Sequence, residues 1–265
     1  MKNDNLQLSD DRKTLIRVLD KTATHVIIPN TVTEIGERAF EGCKTLESLE
    51  IPDSVKTIGD WAFYGCRSLE TIELPDSVTE IGGRAFSDCL SLRHMEIPNS
   101  VSEISVSAFC GCTSLVSIDI PDSVTEIGMG AFENCKSLGC IDLPGSVTEI
   151  GMGAFQGCAS LERIGIPASV TKIGWKAFDG CTSLRSLVIP HSVREIGWDV
   201  FKNCTSLKSI HSAIEAINDA VIDEHAFEGF HPDECTLYVP SGTEEAYRHH
   251  PVFGRFKHIE MEKKG

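Results

Sequence analysis

Basic residues are scarce in this sequence. Its 24 lysines and arginines stand against 39 acidic residues, which leaves a formal net charge of −15 and a pI near 5.0. That balance excludes a general nucleic-acid binder, which needs a basic stripe, and disfavours an anionic membrane surface. Long apolar runs are also missing: none approaches the about 20 residues that span a bilayer. The opening MKNDNLQLSDDRK has no apolar secretory segment. Two expectations stay open on that point, a cell-surface or secreted protein whose leader has been removed, or a cytoplasmic one. Catalytic signatures are lacking too, with no G-x-S-x-G, no H-E-x-x-H and no phosphate loop with its lysine. The sequence reads as non-enzymatic, with no cofactor and no metal site.

What the chain does have is a period. Pro29, Pro52, Pro75, Pro98, Pro121, Pro144, Pro167 and Pro190 stand 23 apart. Phe40, Phe63, Phe86, Phe109, Phe132, Phe155, Phe178 and Phe201 keep the same step, as do Cys43, Cys66, Cys89, Cys112, Cys135, Cys158, Cys181 and Cys204. A fixed period of 20 to 50 residues signals a solenoid, and 23 lies within the leucine-rich-repeat range of about 20 to 29.

The unit is legible in residues 66–82, CRSLETIELPDSVTEIG, and the Ala85–Phe86 pair that follows. Ile72 and Leu74 alternate with Glu73, which predicts a strand with its apolar side chains inward and its carboxylate outward. Proline then ends the strand, since it cannot donate to a ladder. The second residue after each phenylalanine is Gly42, Gly65, Asp88, Gly111, Asn134, Gly157, Gly180 or Asn203, which is the menu for positive φ. The A-F-x-G-C step therefore reads as one short helical turn closed by a left-handed residue.

These strings, for example residues 120–138 and 166–184, closely resemble the BspA-type leucine-rich repeat family, and the resemblance covers residues 23–262. It implies a right-handed curved stack, β-rich with short helical turns. It also implies adhesin-like binding of a host matrix or cell-surface protein such as fibronectin or fibrinogen. The family motif is a packing motif, so no catalytic residue carries over.

Contacts in such a chain run between neighbouring turns, so the fold is one continuous stack. Residues 23–211 read as an eight-turn solenoid, residues 1–22 as a capping hairpin around the polar turn 9–13, and residues 212–265 as an irregular last repeat with an insertion and a C-terminal cap. Ala213 stands where a ninth proline is due, and Phe227 follows Phe201 by 26 residues instead of 23. Residues 235–240 read as a strand, Ser241 and Glu244 as a capping box for a helix through Tyr247, Phe253 and Phe256 as plugs under the last repeat, and residues 257–261 as a closing strand. Eight of the eleven cysteines share one position and predict a buried, reduced column. Cys110, Cys140 and Cys235 lie off it and are the candidates for reaction.

Function must lie on outward positions, because packing does not dictate them. The centre of the strand phrase gives a carboxylate ladder of Glu50, Glu73, Glu96, Asp119 and Asp142, followed by Gly165, Val188 and His211. Arg163, Arg185 and Lys208 lie on the same sheet in the C-terminal half, so the concave face is expected to run from acidic to basic. The ladder is either a solvated face that keeps the sheet soluble or a dock for a cationic patch. A second column runs Glu37, Asp60, Gly83, Val106, Met129, Met152, Trp175 and Trp198, turning from polar to large and apolar. It either packs on the next turn or forms a contact ridge for a partner or a second copy. His249 and His250 read as a solvated pair, and Asn203-Cys204-Thr205 as an incidental glycosylation match. His225, His231 and Cys235, with Asp233 and Glu234, read as cap residues or as a loose metal cluster. Protein partners are expected, with no nucleic acid and no membrane insertion. An intracellular scaffold is the alternative to the adhesin.

Overall fold

A computed structural model describes residues 5–262, so the outermost residues of the two expected caps lie outside the described residues. The chain winds as a β-solenoid of about 11 turns with few helices. The turns feed two separate ladders of short parallel strands.

The first ladder is the expected one. It pairs His25–Ile27 with Ser48–Glu50, His94–Glu96 with Ser117–Asp119, and Cys140–Asp142 with Arg163–Gly165. It ends in a four-stranded sheet of Ser186–Ile189, Ser209–Ser212, Thr236–Val239 and His258–Met261. Residues 71–73, expected as a strand, form none. Ile72 is still buried and Glu73 still exposed. Glu50, Glu73 and Glu96 would stand directly opposite one another there, and among the described residues no cation reaches Glu73 or Glu96. Like charges at strand spacing weaken pairing.

The second ladder comes from the T-E-I phrase. Glu34–Ile35, Thr57–Ile58 and Glu80–Ile81 pair in register, and Glu103–Ile104 opens a six-stranded run through Glu195–Ile196 to Val221–Ile222. Its isoleucines point inward and its charged residues outward. Two-residue strands suffice because the ladder repeats every turn.

Between the ladders lies a column of phenylalanines. From Phe40 to Phe201 the rings stack with centroids 4.7–6.0 Å apart, and Phe227 continues the stack at 5.0 Å across the insertion. The cysteine column runs beside it. From Cys66 to Cys204 each thiol donates to the carbonyl of the preceding turn's phenylalanine at 3.1–3.3 Å. Serine closes the other corner in the same manner, as Ser54 Oγ does on the Val32 carbonyl at 2.6 Å.

The step around Ala-Phe is a series of tight turns, with bonds from Ala39 N–H to Gly36 O, Glu41 N–H to Arg38 O and Cys43 N–H to Phe40 O. All eight residues read as left-handed have φ between 58° and 77°. A second left-handed column was not legible: Arg38, Trp61, Arg84, Ser107, Gly130, Gly153, Lys176 and Asp199 have φ of 54–62°. Its amides bond to the next turn, Arg38 N–H to Asp60 O and Trp61 N–H to Gly83 O. Inter-turn hydrogen bonds thus hold non-glycine residues in a conformation that costs them energy.

At the N-terminal end Leu6–Leu8 pairs antiparallel with Thr14–Val18, which joins the second ladder beside Glu34–Ile35. At the other end the helix Glu244–His249 begins after Thr243, whose hydroxyl turns back to Pro240 O at 2.7 Å. The expected capping box does not form, and Ser241 Oγ points to Met261 Sδ instead. Phe253 and Phe256 pack edge-on against Phe227 at 5.5 and 5.2 Å, closing the core.

Candidate functional site

All five carboxylates of the outward ladder are exposed. They are less free than spacing alone implies. Arg163 grips Asp142 through both guanidinium nitrogens at 2.8 and 3.0 Å, and Asp142 keeps Arg163 above its ordinary range. His25 lies 3.7 Å from Glu50, and His94 lies 3.6 Å from Asp119. Lys208 is tied to Glu234 at 3.0 Å. Of the three C-terminal cations, Arg185 alone lacks a partner among the described residues, so the expected basic half is largely neutralised within the chain.

The outward ladder borders two clefts. One, of about 490 Å³, opens where residues 71–73 leave the sheet and is bordered by Glu73, Asp76, His94 and Glu96. The other, of about 520 Å³, lies at Ala213, bordered by Val188, His191, Pro240 and the His211–Glu262 pair. Ala213 donates its amide to Ile189 O at 2.8 Å, a bond that proline at this place could not make.

The second column forms a ridge. Val106, Met129, Met152, Trp175 and Trp198 are between 38% and 54% exposed. Backbone bonds fix them in line: the carbonyls of these five accept from Arg84, Ser107, Gly130, Gly153 and Lys176 of the turn before. The ring of Trp175 lies over Gly197, where any Cβ would collide with it. Lys176 and Lys202 reach over the Trp198 ring at 5.2 and 5.9 Å. In the first three turns the neighbouring left-handed column instead places Trp61 between Arg38 and Arg84.

A row of charge beside the ridge was missed in the sequence. Three residues ahead of the ridge in each turn, the second ladder lines up Glu103, Glu126, Glu149, Lys172 and Glu195. Lys172 pairs with Glu149 at 3.1 Å. The signal was present as a glutamate every 23 residues, but without alternation it did not read as a strand.

The other singled-out residues settle into structure. Cys140 is exposed and Cys110 partly so, but Cys235 is buried, and burial pushes its thiol up to about 12. His249 and His250 are not a solvated pair: His250 is buried, and its Nδ1 faces the amides of Val252 and Phe253. Asn203 is hydrogen-bonded to Asp179 beside buried Cys204. His225, Asp233 and Glu234 pair separately with Asp223, Lys257 and Lys208. No metal cluster of three or more such groups exists among the described residues, and no described helix is long and apolar enough to cross a membrane.

Parallel ladders, a stacked phenylalanine column and a fixed 23-residue turn define a leucine-rich-repeat solenoid. The sequence profile of the BspA type leucine rich repeat region matches residues 20–139 and 103–232, and the chain belongs to this family. A leucine-rich repeat protein from Bacteroides ovatus is similar over 97% of this chain and 67% of its own, with 29% identity and a TM-score of 0.75. The leucine-rich repeat protein of T. pallidum is 34% identical over 78% of this chain and 90% of its own, with a TM-score of 0.54. A leucine rich cell surface protein from Faecalibacterium prausnitzii is 26% identical over 98% of this chain and 93% of its own, with a TM-score of 0.52. A search of curated proteins finds no match. The family points to a protein-interaction module, and its solenoids are typically non-enzymatic.

Proposed function

We propose that this chain is a non-enzymatic binding module that docks a host matrix or cell-surface protein on the outward columns of its solenoid. The observation that carries this reading is the ridge. Five consecutive turns expose valine, methionine or tryptophan at one position, where the first three turns carry glutamate, aspartate and glycine. These side chains lie outside the buried core, and exposed aromatic and methionine side chains are what interfaces bury at their centres. The similarity to a protein named as a cell surface protein supports the location of the partner. The test is binding of the full chain to immobilised fibronectin and fibrinogen, beside a Trp175→Ser, Trp198→Ser variant. Binding lost in the variant supports the reading; no binding, or equal binding by both, sinks it.

A scaffold that self-associates through the same ridge is the second reading, favoured by the buried cysteine column, whose thiols from Cys66 to Cys204 donate to phenylalanine carbonyls, an arrangement suited to a reducing compartment. Light scattering after size exclusion separates the two. A wild-type dimer that becomes a folded monomer in the same variant favours the scaffold, and monomers throughout favour the foreign partner.

A further inference from the structure

We infer that the occupant of the ridge is a protein segment carrying both apolar and cationic side chains, its positive groups received by the glutamate row that runs beside the ridge. This rests on reading the ridge as a binding surface and adds the chemistry of what binds there.

The ridge is a fixed rail, because the same inter-turn amide bonds set the place of each member. It is bare along one flank at its centre, where Gly130 and Gly153 follow Met129 and Met152. Along the other side runs the glutamate row, one residue per turn like the ridge itself, so the two columns are parallel. Among the described residues no cation pairs with Glu103, Glu126 or Glu195. Lys172, which sits within the row, shows what a partner's lysine would meet: it bonds Glu149 and is held above its ordinary range by that contact first, then by Glu195 and Glu126.

Charge decides between occupants. An anionic lipid surface would meet both the row and the net charge of −15. A second copy brings the same −15 and the same row. A segment with lysine or arginine beside leucine-like side chains matches both columns at once, with attraction that steers its approach and apolar burial that holds it.

The experiment is a fluorescence-anisotropy titration of a labelled alternating leucine–lysine peptide with the full chain. Three variants stand beside wild type: Met152→Ser with Trp175→Ser on the ridge, Glu103→Gln with Glu126→Gln on the row, and, as a charge control outside both ladders, Asp53→Asn with Asp122→Asn at exposed positions after the strand prolines. Circular dichroism confirms that each is folded. The inference expects the first two to weaken binding by about tenfold or more, the third to leave it within about twofold, and an alternating leucine–glutamate peptide not to bind. Equal losses in the row and control variants would mean attraction to net charge alone and overturn the inference. Loss in the ridge variant without loss in the row variant overturns the cationic occupant and leaves the binding surface standing. No loss in the ridge variant removes both. A wild-type dimer dispersed by the ridge variant would make the occupant a second copy and also overturn it.

Discussion

Arg163 reaches diagonally to the neighbouring strand of the first ladder and takes both carboxylate oxygens of Asp142. The pair marks where the carboxylate ladder ends, and both partners remain mostly exposed. An exposed fork in high dielectric orders two side chains more than it stabilises the fold.

Outward charge should therefore be replaceable. Reversal of Glu73, Glu96 and Asp119 to lysine keeps like charges adjacent at 73–96 and 96–119, turns the outer neighbours, Glu50 with position 73 and position 119 with Asp142, into opposite pairs at about 0.2–1 kcal/mol each, and buries nothing new. The melting temperature is expected to stay within a few degrees of wild type, read by circular dichroism. A collapse would show that these side chains support the core.

The columns that packing dictates were legible because packing repeats. Phenylalanine, cysteine and the first left-handed column each demand a residue type at a fixed step, and the stack places them where the period requires. The second left-handed column was hidden because an inter-turn hydrogen bond, not residue preference, holds Trp61 and Lys176 there. The Asp142–Arg163 fork needed the strand register, which places Cys140 opposite Arg163 and Asp142 opposite Gly165. The absence of a strand at residues 71–73 depends on which carboxylates lack a cation nearby. Of the candidate surfaces, the ridge is legible from its period, but its exposure is not. Whether a tryptophan after I-G lies over the next turn or packs into it depends on the glycine beneath it, as Gly197 is beneath Trp175.

Backbone approach makes opposite predictions at two positions. At Gly174 an added Cβ would come 2.6 Å from Met152 N and 2.7 Å from the Gly151 carbonyl carbon, neither of which can yield without parting the turns. Gly174→Ala is expected to destabilise by about 2 kcal/mol or more, as overpacking does. Ser107, at φ 54°, carries a side chain where glycine is at ease. Ser107→Gly is expected to raise stability by up to about 1 kcal/mol. Urea unfolding of both variants beside wild type is the check, and a stable Gly174→Ala protein would mean the turns are not in close contact.

The C-terminal cap should respond to acid through His250. Burial lowers its pKa from the ordinary 6.5, so the fold favours the neutral ring, which accepts from the amides of Val252 and Phe253. The stability this contributes is complete above the unfolded pKa and is lost as pH falls through the folded one. Amide exchange across residues 247–256 is expected to quicken below about pH 6. His250→Gln, which keeps an acceptor and does not titrate, should flatten that response; an unchanged acid response would place the sensitive group elsewhere.

The thiol column predicts the alkaline limit. Burial raises every one of these thiols, Cys158 and Cys204 to about 12, while each from Cys66 to Cys204 also donates to a phenylalanine carbonyl. A thiolate can neither donate that bond nor remain in the core, so folding holds the proton on. The contribution is complete below the ordinary thiol pKa of 9.0 and is lost as pH rises toward the folded values. Each thiol then adds a slope of about 1.4 kcal/mol per pH unit. Urea midpoints should fall steeply between about pH 9 and 11. The double variant Cys135→Ala, Cys181→Ala should begin lower, by about 1 kcal/mol per site, and fall less steeply, since two protons no longer need to be held. In the native protein at neutral pH, a thiol reagent should modify exposed Cys140 first and partly buried Cys110 more slowly, and should reach Cys235 and the column only on unfolding. Parallel urea curves for wild type and the double variant, or rapid modification of the column, would show that the thiols are not sealed between the turns.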